Sequence, residues 1–166
     1  MSAFILRFTY IYDVLNRLTI RRAERSDLKR LYEIEVKCFH EDAFPFHFME
    51  RFIKDPEFMT LVAVLENKVI GFIVASIEIF RGERVGHIYS INVEPEYRRR
   101  GVGSCLLESM EENLRKRGAK ACYLEARKDN VAAINLYLKH KYMIVGILRN
   151  YYGAGNDGIK FMKVLE

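Results

Sequence analysis

Residues 87–107 bring together the groups that can hold an anion. His87 to Val93 reads as an apolar strand, broken by Glu94-Pro95-Glu96. Arg98-Arg99-Arg100-Gly101-Val102-Gly103 follows, and a helix is expected to open at about Ser104. Pro95 supplies no N–H and ends the strand. Gly101 and Gly103 lack a Cβ, so the backbone there can turn tightly and lie against a ligand. The helix aims its first N–H groups and its positive dipole end back into the turn. A strand, a glycine turn and a helix N-terminus make an anion site, most often one for phosphate. The same residues also suit a plain strand–turn–helix junction in which glycine only permits packing. No Gly-Lys-Ser/Thr follows, which excludes a Walker loop, and Leu106 occupies the third glycine position of a dinucleotide fingerprint.

The bulk properties limit what this site can belong to. A length of 166 residues fits one domain with a real core. With 50% apolar and 30% charged residues, the composition is that of an ordinary globular protein. The longest apolar stretch, Val69 to Ile77, is too short for a membrane span. Met1 to Leu6 has no basic segment before it and is interrupted by Arg7, so no signal peptide is expected. Cys38, Cys105 and Cys122 are odd in number and widely spaced, which suggests no metal and a reduced, cytoplasmic setting. A net charge of +5 accommodates an anionic cofactor, ribosome association or merely a basic surface. No helix-turn-helix, finger or aromatic-basic platform predicts specific nucleic-acid binding.

The elements that must position the site follow in order. Residues 1–17 are an extension of unknown role, with an apolar run from Phe4 to Tyr12. Leu18 to Ala23 predicts a strand, and Ser26-Asp27 offers the cap of a helix carrying Leu28, Leu31, Ile34 and Glu35. A polar and aromatic loop, Cys38 to Phe46, precedes a short helix from Phe48 to Ile53. Thr60–Leu65 and Lys68–Phe80 are strands joined at Glu66-Asn67, a hairpin signal. After the glycine turn, the helix to Arg117 places Leu106, Leu107, Met110 and Leu114 on one face and stops at Gly118. Cys122 to Arg127 is a strand with Cys122, Leu124 and Ala126 on one side and Tyr123, Glu125 and Arg127 on the other. Asp129 or Asn130 caps a helix to about Lys139, with Ala133, Ile134, Tyr137 and Leu138 at core spacing. Strands Tyr142–Leu148 and Ile159–Val164 flank a Tyr151-Tyr152-Gly153 loop. The fold class is α/β with a mixed sheet, in the order β-α-α-β-β-β-α-β-α-β-β, as a single domain over 18–166.

Arg98-x-x-Gly101-x-Gly103, after a Val-x-Pro-x-Tyr strand end, resembles the acetyl-CoA pyrophosphate loop of the GCN5-related N-acetyltransferases (GNAT). Leu124-Glu125-Ala126-Arg127 through Asn130 to Leu136-Tyr137 resembles that family's second signature, and the element order is similar over about 18–166. The resemblance implies acetyl-CoA as co-substrate and no metal. The cofactor-binding set is then Ile91, Asn92, Val93, Arg98, Arg99, Arg100, Gly101, Val102, Gly103, Ser104, Asn130 and Tyr137. Within it, the resemblance implies that backbone N–H groups at about 91–93 face the thioester oxygen, that Asn130 meets the pantetheine arm or nearby backbone, and that Tyr137 can protonate the departing thiolate. One departure is Lys141-Tyr142, where family members read Gly-Phe. Lys141 must take a left-handed cap, or the helix must end differently.

Gly86 to Ile91, Tyr123-Leu124-Glu125 and Arg149 to Asp157 resemble the protein N-terminal acetyltransferases of the archaeal Ard1 type, with the bacterial RimI type next. By that resemblance Tyr151 and Tyr152 close over the first residues of a peptide. Glu35, Phe39, Phe44 and Pro45 are further substrate-side candidates. Strand alternation lets His87 and Glu125 face one groove, and they resemble the family's water-ordering pair. The implied reaction is transfer of acetyl to a protein N-terminus, with ribosome or auxiliary-subunit association left open. An α-amine has a pKa of about 7.7–8.0 and is partly neutral near pH 7, whereas lysine, at about 10.4, demands a stronger base. The rival readings are a GNAT enzyme acting on lysine or a small amine, and an acyl-CoA-binding module without catalysis.

Overall fold

A computed structural model describes residues 14–165 of the chain. The Phe4–Tyr12 run, and with it most of the expected extension, lies outside the described residues. Strand β1 (Leu18–Arg22) pairs antiparallel with β2 (Phe58–Leu65), from Leu18 opposite Leu65 to Arg22 opposite Leu61. Helices α1 (Leu28–Phe39) and α2 (Phe46–Lys54) lie between them in sequence. Then come β3 (Lys68–Phe80), β4 (Glu83–Val93), α3 (Val102–Lys116), β5 (Ala121–Arg127), α4 (Val131–Lys139), β6 (Met143–Leu148) and β7 (Gly158–Val164). The strands are ordered β1-β2-β3-β4-β5-β7-β6. β4 and β5 run parallel, with His87 opposite Tyr123, while β7 is antiparallel to both β5 and β6. The element order expected from the sequence is the one observed.

Local chemistry explains the turns. Glu66 and Asn67 both take positive φ, at 51° and 64°, as do Arg81 and Gly82, at 51° and 83°. Two successive left-handed residues match the twist of a two-residue hairpin. The start of α1 differs from expectation. Asp27 makes no cap bond to that helix. Its carboxylate instead accepts from Arg21 Nη1 and Nη2, at 2.7 and 2.9 Å, and from the Glu24 N–H at 2.8 Å. The last of these, with the Glu24 side chain accepting from the Asp27 N–H in return, closes a capping box on a 3-10 turn, Arg25–Asp27, one turn earlier. Helix α2 begins two residues before the expected Phe48, directly behind Pro45.

Two compact units are distinguished, 14–74 with 90–109 and 75–89 with 110–165. In the first, Leu31, Ile34, Met49, Phe52, Val62 and Phe72 form the buried core. Each such side chain stabilises by roughly 1.5–3 kcal/mol when fully removed from water. In the second, Cys122, Leu124 and Ala126 point inward from β5, and Tyr123, Glu125 and Arg127 stay partly exposed, as alternation requires. The expected stripe Leu106, Leu107, Met110 and Leu114 is buried. Gly118, at φ 85°, ends α3, and the Ala119 N–H reaches back to the Leu114 carbonyl at 3.0 Å. Leu138 is a correction: it is exposed, because α4 turns only Tyr137 fully inward. Lys141 does adopt the left-handed cap, with φ 66°.

Candidate active site

The glycine turn belongs to the first unit. Glu94 leads into it, and its buried carboxylate is bound by Arg30, by Lys37 at 2.7 Å and by Lys68 at 3.2 Å. Burial alone would raise its pKa, but these cations hold it below the usual carboxylate range. The Glu94 N–H also donates to the Ile70 carbonyl at 2.8 Å, so the strand end is fixed where the turn departs. Arg98 donates from Nε to the Val93 carbonyl at 2.9 Å and from Nη2 to Cys38 Sγ at 3.2 Å. Arg100 lies over the Tyr97 ring, 5.5 Å from its centroid.

Gly101 has φ 85°, and its carbonyl accepts the first helical bond, from the Cys105 N–H at 3.0 Å. Helix α3 therefore opens at Val102 rather than at Ser104. The reason is that one left-handed glycine completes the turn, and Gly103 is already helical. The N–H groups of Val102 and Gly103 precede this helical bond, and Arg98, Arg99 and Arg100 immediately precede the turn in sequence. This donor set suits a pyrophosphate.

In the second unit, His87 stands between two carboxylates. Its Nε2 is 2.8 Å from Glu125 Oε2, and its Nδ1 is 2.9 Å from Glu78 Oε1. Burial pushes the imidazole pKa down, but the hydrogen bonds to Glu125 and Glu78 outweigh it and raise the value above normal. Lys160 Nζ approaches the other Glu125 oxygen at 3.7 Å. The Glu125 side chain is only 9% exposed, and that of His87 is 21% exposed.

Tyr137 is 4% exposed, with its ring 5.4 Å from that of Phe161 and 5.9 Å from that of Tyr142. Burial raises its pKa, so the phenol keeps its proton through the neutral range. Asn130 caps α4 by accepting from the Ala133 N–H at 3.1 Å. The Tyr151-Tyr152 loop is tied at its base. The Asn150 N–H donates to Asp157 Oδ1 at 3.0 Å, and the Gly155 N–H donates to Asn150 Oδ1 at 2.8 Å. Arg127, at the end of β5, donates to Asn156 Oδ1 at 3.1 Å. The two rings meet edge to face at 4.9 Å. Burial raises both phenol pKa values, and the negative charge of Glu125 adds to each. Tyr152 acts in the same sense on Tyr137. One unit thus gathers His87, Glu125, Tyr151, Tyr152 and Tyr137.

The family model for the acetyltransferase (GNAT) family matches residues 28–142. The chain belongs to the GNAT acetyltransferase family. A relative from Saccharolobus solfataricus strain P2, called N-alpha-acetyltransferase, is 34% identical over 84% of this chain and 88% of its own. The crystal structure of Ard1 from Thermoplasma volcanium is 27% identical, with a TM-score of 0.80 over 90% of this chain and 99% of that one. The ribosomal-protein-S18-alanine N-acetyltransferase of Escherichia coli is 28% identical, with a TM-score of 0.76 over 90% and 94%. The fold and enzyme class expected of a GNAT protein, an N-acetyltransferase, are those found.

Other residues implied by the GNAT resemblance have structural partners. Glu35 is fully buried, accepting from the Phe44 N–H at 3.0 Å and from Asn92 Nδ2 at 2.8 Å, and burial raises its pKa. It holds the loop rather than presenting its carboxylate to solvent. Phe39, the last residue of α1, is half-buried. Phe44 packs edge to face on Phe52 at 5.3 Å, and Pro45 is exposed ahead of α2. Asn92 Oδ1 is buried without a hydrogen-bond partner among the described residues, while Ile91 and Val93 are half-buried.

Burial pushes the Cys122 thiol up to about 12 and raises those of Cys38 and Cys105, so none offers a ready thiolate. Sequence reasoning did not single out the contacts made by Glu78, Tyr89, Glu94 and Asp157. Ser76 and Glu78, spaced two apart in an otherwise apolar strand, were the available signal.

Proposed function

We propose that this chain transfers the acetyl group of acetyl-CoA to the N-terminal α-amino group of a protein or peptide, by direct attack in a ternary complex. The observation that carries the reading is the group formed in one unit by the His87–Glu125 pair, the protonated phenol of Tyr137 and the Tyr151-Tyr152 loop. Amine acylation needs a proton acceptor, a carbonyl-polarising donor and an acid for the leaving sulfur. It needs no covalent intermediate, which agrees with the protonated cysteines. The relative called N-alpha-acetyltransferase supports the α-amine over other acceptors.

Acetyl-CoA supplies an activated thioester. Residues 98–104 are assigned to its pyrophosphate, Asn130 to the pantetheine arm and the backbone N–H groups of 91–93 to the carbonyl oxygen. Tyr137 Oη holds the proton destined for sulfur. Glu125, braced by His87, receives the amine proton directly or through water. Tyr151 and Tyr152 cover the first peptide residues, and Glu35 with Phe39 shapes the substrate-side loop. We place the reaction in the cytoplasm, with a ribosome or auxiliary subunit as candidate partner. No helix among the described residues is long and apolar enough to cross a membrane.

The test is thiol release from acetyl-CoA with short peptides beginning Ser, Ala, Met, Met-Leu or Met-Glu. Each is paired with an N-terminally blocked copy that carries an internal lysine. Release only from free N-termini supports the reading, and equal release from blocked lysine peptides overturns it.

A further inference from the structure

We propose that Glu78 is a positioning residue for the proton-handling pair, reaching from β3 to hold His87 Nδ1–H so that Nε2 is presented to Glu125. The inference rests on the reading above that His87 and Glu125 handle the proton of the amine. A neutral imidazole donates from one nitrogen only. With a carboxylate oxygen 2.9 Å from Nδ1 and another 2.8 Å from Nε2, both contacts are satisfied as hydrogen bonds when the ring carries two protons. Glu78 is itself aimed. The oxygen that meets His87 also accepts from Tyr89 Oη at 2.9 Å, and that hydroxyl lies 3.1 Å from Ser76 Oγ. The Tyr89 ring lies against His87, with centroids 4.4 Å apart.

The groups around His87 come from several strands. Glu78 and Ser76 come from β3, Tyr89 from its own strand, Glu125 from β5, and Lys160 from β7 through its contact with Glu125. Two negative charges and one distant cation favour the imidazolium, which agrees with the raised pKa of His87. The Glu78 side chain is 49% exposed, against 9% for Glu125. Glu125 is the secluded member that meets the amine, and Glu78 is the wet outer brace that fixes the ring and its charge.

The experiment titrates the His87 ring by NMR in wild type, Glu78→Gln and Glu78→Asp, with His87→Asn assigning the signal. The kcat–pH profile is measured on the same proteins with acetyl-CoA and a free N-terminal peptide. In wild type, His87 should titrate above about 6.5. In Glu78→Gln the titration should move down by about one pH unit, with the corresponding limb of the kcat profile following it and KM for acetyl-CoA unchanged. Glu78→Asp should restore both in part. An unmoved His87 titration in Glu78→Gln, with His87→Asn impaired, overturns the role of Glu78 alone. A moved titration with His87→Asn at full turnover removes the pair from the reaction, and the positioning role falls with it.

Discussion

Tyr137 follows Asn130 by seven residues on α4, with Asn130 capping the helix and Tyr137 its fully buried side chain. Seven residues are two helical turns, about 10 Å along the axis, so both residues approach one face. In the proposed reading, this spacing lets one helix serve two places on an extended cofactor.

Tyr137→Phe keeps the ring packed on Phe161 and Tyr142 and removes only the hydroxyl. We expect kcat to fall by ~10²-fold, the scale of a lost general acid, with calorimetric affinity for acetyl-CoA retained. Near-normal turnover would take Tyr137 out of the acid role.

The two glycines of the turn make different demands. Gly101→Ala places a Cβ at φ 85° and 3.1 Å from Leu15 Cδ2, and should cost roughly 1–2 kcal/mol in urea denaturation. Gly103→Asp sits in the first turn of α3, where an acid is tolerated by the helix dipole. It should leave stability nearly intact while its carboxylate repels the pyrophosphate and abolishes acetyl-CoA binding. Tight binding by Gly103→Asp would move the phosphate site elsewhere.

The ionic contacts of His87 also set a stability profile. Its folded pKa lies above the unfolded value, so its contribution is complete below the unfolded pKa. The contribution is lost as pH rises through the folded pKa. The stability difference between wild type and His87→Gln, from urea denaturation, should be largest near pH 6 and shrink toward alkaline pH. A difference independent of pH would show that the proton is not held by the fold.

Asp157→Ala removes the acceptor for the Asn150 N–H and loosens the base of the Tyr151-Tyr152 loop. Stability should drop by ~1 kcal/mol, peptide KM should rise, and acetyl-CoA KM should stay constant. A rise in both KM values would mean that the loop serves the cofactor as well.

The order of elements was legible because each strand shows apolar runs or period-two alternation and most breaks carry Gly, Pro or Asn, the exceptions being 23–27 and 140–142. Asn130 was readable as a cap, and Tyr151, Tyr152 and Tyr137 through the family resemblance. The helix at Val102 was read two residues late because two glycines looked like one turn. The sequence shows composition there but not which glycine takes positive φ. Asp27 was misread because its partner Arg21 sits on a preceding strand, and a local pattern does not reveal that bidentate pair. Glu78 and Glu94 escaped notice for the same reason. The partner of Glu78 lies across the β3–β4 hairpin and those of Glu94 are distant in sequence, so only the sheet and helix packing bring them together.

What most needs deciding is which nitrogen accepts the acetyl group. One peptide carrying both a free N-terminus and an internal lysine, incubated with the enzyme and acetyl-CoA, decides it by tandem mass spectrometry. Acetyl is expected on the α-nitrogen, with the lysine unmodified. Acetyl on the lysine with a free N-terminus would contradict it.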